Sequence, residues 1–252
     1  MNRASRVITQ IYEIQDPWEA EAVLALGVDR IGSVLLSREE WKNSRIREAV
    51  TVSRRADCEH SIIPLFDDTD ILFRVVDYYE PDLLHFCDAL PGDPGNANLW
   101  KGCARRQALI KERYPLLKLM RSIPIFPPES QQDTTILDLA ARFTPVSDYL
   151  LTDTWSGNAV EAGYIGITGS ICNWDTARKL VRTSSVPVVL AGGLSPENVY
   201  EAVDAVRPFG VDSCTMTNVR DEKGRVVRFK KDLKRVKSFV NQVRRAERDF
   251  LQ

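Results

Sequence analysis

The sequence predicts an α/β protein that folds as a single (β/α)8 TIM barrel, and three observations support this prediction. Its 252 residues match the usual length of one such barrel. Short apolar segments, typical of buried parallel strands, alternate with segments of helical periodicity. No linker interrupts the alternation, so we expect one domain over residues 1–252. An open doubly wound sheet is the alternative, but no Gly-x-Gly-x-x-Gly motif follows the first predicted strand.

The first half of the chain contains five predicted strands. The first of them, residues 7–12, precedes a helix start. Asp16 is the expected N-cap, Pro17 the first helical residue, and Glu19 closes a capping box. The apolar face of this helix ends at Gly27. The other predicted elements are strands at 29–36, 61–66, 82–86 and 116–123, and helices at 71–79 and 99–113.

The second half repeats this pattern and contains the most informative segment of the chain. Residues 186–191 form a continuous apolar run, typical of a strand buried on both faces, and the turn Gly192-Gly193 follows it. Ser195 and Pro196 then fit the N-cap and first position of a helix. Because backbone amides at such a turn are available to an anion, the segment predicts an anion site. The remaining predicted elements are a helix at 134–143, a strand at 149–153, a helix capped by Asn173, a strand from Val211 and a basic helix at 230–252.

Composition limits the partners and the compartment of the protein. Lys and Arg number 34 against 35 Asp and Glu, so the net charge of −1 gives no overall attraction to nucleic acid or to an anionic membrane. No segment approaches the length of a transmembrane span or has the apolar core of a signal peptide. The five cysteines lack the paired spacing of a zinc site. We therefore expect a cytoplasmic protein with no nucleic-acid or membrane partner, no metal and no cofactor.

Two segments near the carboxyl end carry a recognisable pattern. Residues 187–199 are Pro-Val-Val-Leu-Ala-Gly-Gly-Leu-Ser-Pro-Glu-Asn-Val, and residues 206–212 are Val-Arg-Pro-Phe-Gly-Val-Asp. Both resemble, almost residue for residue, the last two βα units of phosphoribosylanthranilate isomerase, the barrel enzyme of tryptophan biosynthesis. Residues 84–86, 149–154 and 166–169 resemble further motifs of that family. The resemblance implies a barrel of the ribulose-phosphate-binding type, a phosphorylated small-molecule substrate, and leaves a homodimer open.

The resemblance also implies a reaction and a set of site residues. The family's reaction is an Amadori rearrangement, in which an acid opens the sugar ring of an aminoaldose phosphate and a base removes a proton from the neighbouring carbon. The motif at the end of the sixth strand assigns the role of acid to Asp153. The implied phosphate-binding residues are Gly192, Gly193, Thr215 and Met216, and the implied substrate-binding residues are Thr168, Gly169, His85 and Arg38.

The sequence departs from the family pattern where the base is expected. The family's first strand ends in Lys-Ile-Cys-Gly, with Cys as the base, whereas residues 10–13 here are Gln-Ile-Tyr-Glu. Tyr12 therefore occupies the position of the base, although an unperturbed phenol has a pKa near 10 and is a weak base at neutral pH. Glu13 is the other candidate, provided that the turn redirects its side chain into the barrel.

Two further departures concern the substrate. Met216 replaces a glycine that lets the phosphate approach the backbone in the family. The arginine that would pair with the carboxylate of anthranilate has Arg38 and Arg45 as its nearest counterparts. Both departures fall at the ends of strands, where the chemistry is expected, and neither falls in the core.

Three hypotheses for the function follow. The first is a phosphoribosylanthranilate isomerase with a substituted base. The second is an isomerase or lyase of another phosphorylated sugar, in which Asp153 acts with Tyr12 or Glu13. The third is a non-catalytic barrel that binds a metabolite or a partner protein. We favour a family member that carries out aldose–ketose isomerisation of a phosphorylated amino sugar and retains the acid and the anion-binding turn, with an altered substrate or weak catalysis.

Overall fold

Eight parallel strands close into a barrel in the computed structural model, which describes residues 6–90, 97–129, 135–157 and 163–250. Each strand pairs with the next one along the chain, and the eighth pairs with the first. This closed parallel barrel confirms the predicted (β/α)8 fold over the open doubly wound sheet. The strands are β1 Ile8–Ile11, β2 Arg30–Leu35, β3 Glu59–Pro64, β4 Leu83–Phe86, β5 Lys118–Ile125, β6 Tyr149–Thr154, β7 Val188–Leu190 and β8 Gly210–Ser213.

Helices follow the strands and pack on the outside of the barrel. The last of them buries Val236, Val240 and Val243 while most of its Lys and Arg residues face solvent, as its sequence periodicity predicts, but Leu233, predicted on the same face, is exposed. None of the described helices has the length and apolar character needed to cross a membrane. The predicted ends at residues 134 and 252 lie outside the described residues. The helices are α1 Pro17–Leu24, α2 Ser44–Arg55, α3 Thr69–Tyr79, α4 Ala97–Arg113, α5 Ile136–Phe143, α6 Trp174–Thr183, α7 Val199–Val206 and α8 Leu233–Phe250.

Two structural elements lie outside the sequence prediction. One is α2, whose N-cap Asn43 accepts a hydrogen bond from the backbone N–H of Arg45 at 2.9 Å. The other is a hairpin between β8 and α8, formed by β9 Asn218–Arg220 and β10 Val226–Lys231. Its turn is closed by the Asp221 carboxylate, which accepts from the backbone N–H of Arg225 at 2.9 Å. The hairpin brings β10 next to the end of β1, at the mouth of the barrel.

The start of α1 has the predicted N-cap but not the predicted capping box. Asp16 is its N-cap and accepts from the backbone N–H of Trp18 at 2.7 Å. Glu19 does not close a capping box, because its Oε1 accepts from the backbone N–H of Lys231 at 2.6 Å. The predicted local contact is therefore wrong, and the side chain instead ties α1 to the end of β10.

The helix after the glycine turn starts at Val199, later than the predicted Pro196, although Ser195 makes the predicted cap contact, in which its Oγ accepts from the backbone N–H of Glu197 at 3.2 Å. A turn comes first, in which the backbone N–H of Ser195 donates to Asn198 Oδ1 at 2.8 Å. The Ser195 carbonyl then accepts from the backbone N–H of Val199 at 3.0 Å. The turn places α7 beyond the glycines and leaves their backbone at the edge of the barrel.

Candidate active site

Two adjoining cavities open at the carboxyl end of the barrel, the end at which (β/α)8 enzymes form their active sites. With the solvent-open space at their mouths included, they enclose about 360 and 540 Å³. The residues that line both cavities are Asp153, Ile167, Asp212 and Cys214. Two acidic side chains therefore lie where the cavities meet.

The smaller cavity, here named the glycine cavity, lies between the segments that follow β6, β7 and β8. It brings together side chains and backbone from all three segments, and the sequence predicted most of them as ligand contacts. The predicted residues that line it are Thr168, Gly169, Gly192, Gly193, Thr215 and Met216. The structure therefore gathers into one place the four residues that the sequence assigned to a phosphate and two of those that it assigned to the rest of the substrate.

Both glycines of the turn after β7 have positive φ angles, +94° at Gly192 and +64° at Gly193. A Cβ added at Gly192 would lie 2.4 Å from Thr154 Oγ1, and one added at Gly193 would lie 2.5 Å from the carbonyl carbon of Ser170. Both positions therefore require glycine for its backbone freedom and for close packing against neighbouring segments. Enlarging either residue displaces the loop after β6 as well as any ligand.

Met216 lies in the wall of the glycine cavity, on the short 3-10 turn Thr215–Thr217. Its Sδ is 3.8 Å from the position that a Cβ on Gly169 would take. Met216 is therefore part of the wall of a cavity that is open beside its side chain.

Asp153 lies at the end of β6. Its Oδ1 accepts a hydrogen bond from the backbone N–H of Thr154 at 2.8 Å. Gly166, at φ +106°, passes so close that a Cβ there would lie 2.4 Å from Asp153 Oδ2. Burial raises the pKa of Asp153 to about 7. This carboxyl is therefore able to give or take a proton near neutral pH, as an acid catalyst must.

Asp212, on β8, is the second carboxyl of the site, and the sequence prediction missed it. The residue is 7% exposed, and Gln10 Nε2 donates to its Oδ1 at 3.1 Å. Burial raises the pKa of Asp212 to about 7, and the negative charge of Asp153 acts in the same direction. Asp212 is the last residue of the recognised segment 206–212, so the sequence did contain a sign of it. The inward orientation of its side chain, however, follows only from the pairing of β8 with β1.

The larger cavity, here named the apolar cavity, is bounded mainly by hydrophobic side chains. These are Val34, Ile63, Leu65, Leu151, Tyr164, Ile165 and Ile167. Tyr12, Glu13 and His85, three of the predicted site residues, also line it. The Tyr12 hydroxyl lies 2.7 Å from Ser61 Oγ and 2.8 Å from His85 Nδ1, and His85 Nε2 lies 2.8 Å from Ser122 Oγ.

This environment argues against Tyr12 as the base. Burial raises the pKa of the Tyr12 phenol well above its usual value, so the group stays protonated at neutral pH. Burial also lowers the pKa of His85 to about 3, which leaves the imidazole neutral. The ring of Tyr12 packs on Gly32, where a Cβ would lie 2.0 Å from it. Tyr12 and His85 therefore form a neutral hydrogen-bonded pair inside the barrel.

The turn after β1 does redirect Glu13, which has φ +65° and is 1% exposed. Its Oε1 accepts from Arg228 Nε at 2.7 Å, and its Oε2 accepts from Asn218 Nδ2 at 3.0 Å. Burial alone would raise the pKa of Glu13, but the Arg228 charge and the hydrogen bond from Asn218 lower it. Glu13 is therefore an ionised carboxylate that is already paired, which makes it a weak base.

A family model described as N-(5'-phosphoribosyl)anthranilate (PRA) isomerase matches residues 110–242, which is more than half of the chain. The chain belongs to the phosphoribosylanthranilate isomerase family. The matched region includes β6, β7 and β8, and with them both carboxyls of the site and the glycine turn.

Individual relatives agree with this assignment. The N-(5'-phosphoribosyl)anthranilate isomerase of Methanocella arvoryzae is 36% identical over 135 residues, a region that spans 54% of each chain and so only about half of that relative. The enzyme of the same name from Methanosarcina acetivorans is 25% identical over 238 residues, which cover 93% of this chain and 92% of the relative. A solved phosphoribosylanthranilate isomerase, in complex with reduced 1-(o-carboxyphenylamino)-1-deoxyribulose 5-phosphate, shares the fold with a TM-score of 0.65 and 19% identity, covering 94% of this chain and 98% of that one.

The arginine that the family pattern leads one to expect is not at the site. Arg38 lies beyond the end of β2, its side chain is 61% exposed, and its Nε is 3.1 Å from Glu39 Oε1. It lines neither cavity. Arg45 lies in the first turn of α2 and bonds the Asp16 carboxylate. The structure therefore gives no support to Arg38 as a substrate contact, because the chain after β2 runs out over the surface.

Proposed function

We propose that this protein catalyses the Amadori-type isomerisation of a phosphorylated amino sugar, with Asp153 as the acid and Asp212 as the base. The observation that carries this proposal is the position of the two carboxyls, which together line both cavities at the mouth of the barrel. Membership of the isomerase family supports the reaction class, and the geometry supports the choice of residues.

The pair of carboxyls suits a reaction that needs one acid and one base. Burial raises the pKa of both Asp153 and Asp212 to about 7, and the charge of Asp153 adds to the effect on Asp212, so each carboxyl can be protonated or ionised near neutral pH. Asp153 then donates its proton to the ring oxygen of the sugar, which opens the ring. The ionised Asp212 removes the proton from the carbon next to the resulting imine. The base has thus moved from β1, where Tyr12 stands, to β8.

The glycine cavity supplies the anchor for the phosphate. We assign this anchor to backbone N–H groups of the turn Gly192-Gly193 and of the segment around Thr215, with Met216 as part of the wall. Thr168 and Gly169 complete the cavity on the side of β6. The apolar cavity then takes the substituent on the amine, because it adjoins the carboxyl pair on the opposite side.

The test is turnover of 5-phosphoribosylamines, formed from ribose 5-phosphate and a panel of aromatic amines. The ketose product is measured by mass spectrometry and NMR. We expect conversion by the unaltered protein, and a fall in kcat/KM of about 10²- to 10⁴-fold in Asp153→Asn, since proton transfer contributes that much. The matched control is Asp138→Asn, an exposed carboxylate in the first turn of α5.

The outcome that would contradict the proposal is equally specific. Equal turnover in Asp153→Asn and Asp138→Asn would remove Asp153 from the reaction. Tight binding of phosphorylated aminoketoses without conversion of any amine in the panel would favour the non-catalytic barrel.

A further inference from the structure

We infer that the amine substituent of the substrate is uncharged and apolar, an aryl or alkyl group without a carboxylate. The inference rests on the proposed function, because it concerns the substituent of the same amino sugar. It follows from the side chains that line the apolar cavity and from the partners of the nearby cations.

The charged residues that line the apolar cavity are all acidic. They are Glu13, Asp153 and Asp212, and no Lys or Arg side chain is among the described residues that line it. The internal segments outside the described part, residues 91–96, 130–134 and 158–162, contain no Lys or Arg either, and the terminal residues outside it, 1–5 and 251–252, contain one, Arg3. A carboxylate on the ligand would therefore enter a cavity in which none of the described lining residues offers it a cation.

The cations nearest to the cavity are engaged elsewhere. Arg228 donates to Glu13 Oε1 at 2.7 Å. Lys231 donates from Nζ to the Cys214 carbonyl at 3.0 Å and to Asn218 Oδ1. Each positive charge close to the mouth thus has a partner within the protein.

Two buried arginines also have their partners outside the apolar cavity. Arg30 reaches Glu59 Oε2 at 2.9 Å and Gln10 Oε1 at 3.1 Å, toward the amino end of the barrel. Arg121 bonds Asp88 Oδ2 at 2.7 Å, and its guanidinium lies over the ring of Phe143 in the helical layer. Neither lines the cavity, so neither is available to a substituent on the amine.

The remaining surface of the cavity favours an apolar group. Aliphatic side chains of Val34, Ile63 and Leu151 and the ring of Tyr164 form most of its wall. Removing a carboxylate from water without a partner is unfavourable, whereas burying a phenyl ring or an alkyl chain against such a wall is favourable. The cavity therefore selects the uncharged member of a pair of otherwise identical ligands.

The experiment compares two inert ligands by calorimetry with the full chain. They are the reduced forms of 1-(phenylamino)- and 1-(2-carboxyphenylamino)-1-deoxyribulose 5-phosphate, which differ by one carboxylate. We expect the phenyl ligand to bind at least about tenfold more tightly than the carboxylated one. The phenyl ligand without its phosphate is measured in parallel, and we expect its binding to be lost.

The two kinds of failure are distinguishable. Equal or tighter phosphate-dependent binding of the carboxylated ligand would overturn this inference and leave the proposed function standing. Absence of phosphate-dependent binding for both ligands would overturn the proposed function and the inference together.

Two variants locate the origin of the selectivity. Glu13→Gln removes the charge that engages Arg228, so we expect the preference for the phenyl ligand to shrink by about tenfold. Glu39→Gln, which removes the surface partner of Arg38, is the matched control and keeps the preference. Arg228→Gln separates the alternatives. Selective weakening of the carboxylated ligand in this variant would show that Arg228 binds the carboxylate and would overturn the inference.

Discussion

The glycine cavity and the apolar cavity are held in place by different kinds of contact. Around the glycine cavity, positive φ angles at Gly169, Gly192 and Gly193 fix the loops through the backbone. Around the apolar cavity, the segments are held together by hydrogen bonds between side chains that are distant in sequence. Glu13 reaches across 205 positions to Asn218 and joins β1 to the hairpin.

Under the proposed function, this difference separates the phosphate anchor from the selection of the substituent, with the two carboxyls between them. A change of backbone beside the glycine cavity alters everything that the sugar and its phosphate contact. A change at an aliphatic side chain of the apolar cavity, such as Val34 or Ile63, alters the surface proposed to meet the amine substituent. Tyr12, which occupies the position of the family's base, lines the apolar cavity. The departure from the family pattern at this position therefore leaves Asp153 in place.

The largest expected effect is that of Gly193→Ala on the glycine side. The residue has φ +64°, and the added Cβ would lie 2.5 Å from the backbone of Ser170. We expect a loss of about 3 kcal/mol in the free energy of unfolding, with loss of phosphate-dependent binding. Chemical denaturation and calorimetry measure the two effects.

Gly102→Ala is the matched control for this substitution. Gly102 lies within α4, and a Cβ there meets nothing within 4 Å. We expect a gain of up to about 1 kcal/mol, because alanine favours the helix. Equal losses in the two variants would show that the close approach at Gly193 has no special cost.

A second expected effect tests the carboxyl pair through Gln10, which donates to Asp212. Gln10→Lys replaces a neutral donor with a cation, which lowers the pKa of Asp212. We expect the pH optimum of isomerisation to move to lower pH and kcat/KM at neutral pH to fall by about tenfold. Gln10→Met, which has no charge, serves as the control. An optimum that stays in place with Lys would contradict the role of Asp212.

The sequence predicts the features that belong to local motifs and misses those that depend on contacts between distant residues. Asp153 and the glycine turn were predictable, because each belongs to a local motif with a strand before it. Asp212 was in a recognised motif, yet its role depends on the register that sets it beside Gln10. The pairing of Glu13 with Arg228 and of Glu19 with Lys231 depends on the hairpin, whose contacts join residues that the sequence separates by most of the chain.

A third expected effect concerns stability and pH. The pKa of Asp212 is raised to about 7 in the folded protein, so the folded state favours the protonated form. Its contribution to stability is present at acidic pH and is lost as the pH rises from about 4 through 7. Asp212→Asn cannot ionise, so we expect its stability relative to the unaltered protein to rise by up to about 1.4 kcal/mol for each pH unit between about pH 4 and pH 7.

Denaturant unfolding at both pH values measures this gain. The exposed control Asp138→Asn is expected to show no pH-dependent difference. A gain that appears at acidic pH instead would mean that Asp212 is ionised and stabilising in the folded state.

The smallest expected effect is that of Met216→Gly, which enlarges the glycine cavity. Removing the side chain from its wall gives the phosphate more backbone to approach, so we expect binding of phosphorylated ligands to tighten by roughly two- to fivefold. The phenyl and carboxylated ligands are expected to gain equally, since neither differs at the phosphate. A change in their ratio would show that the two cavities do not act separately.

The measurement that tests the central claim most directly is the pH dependence of kcat/KM for the isomerisation, in the unaltered protein and in Asp212→Asn. The account predicts a bell-shaped profile with its maximum near neutral pH, because Asp212 must be ionised while Asp153 is protonated. It also predicts that Asp212→Asn loses the rising limb together with most of the rate. A flat profile between about pH 5 and pH 9, or an unaltered rate in Asp212→Asn, would contradict the assignment of the two carboxyls as acid and base.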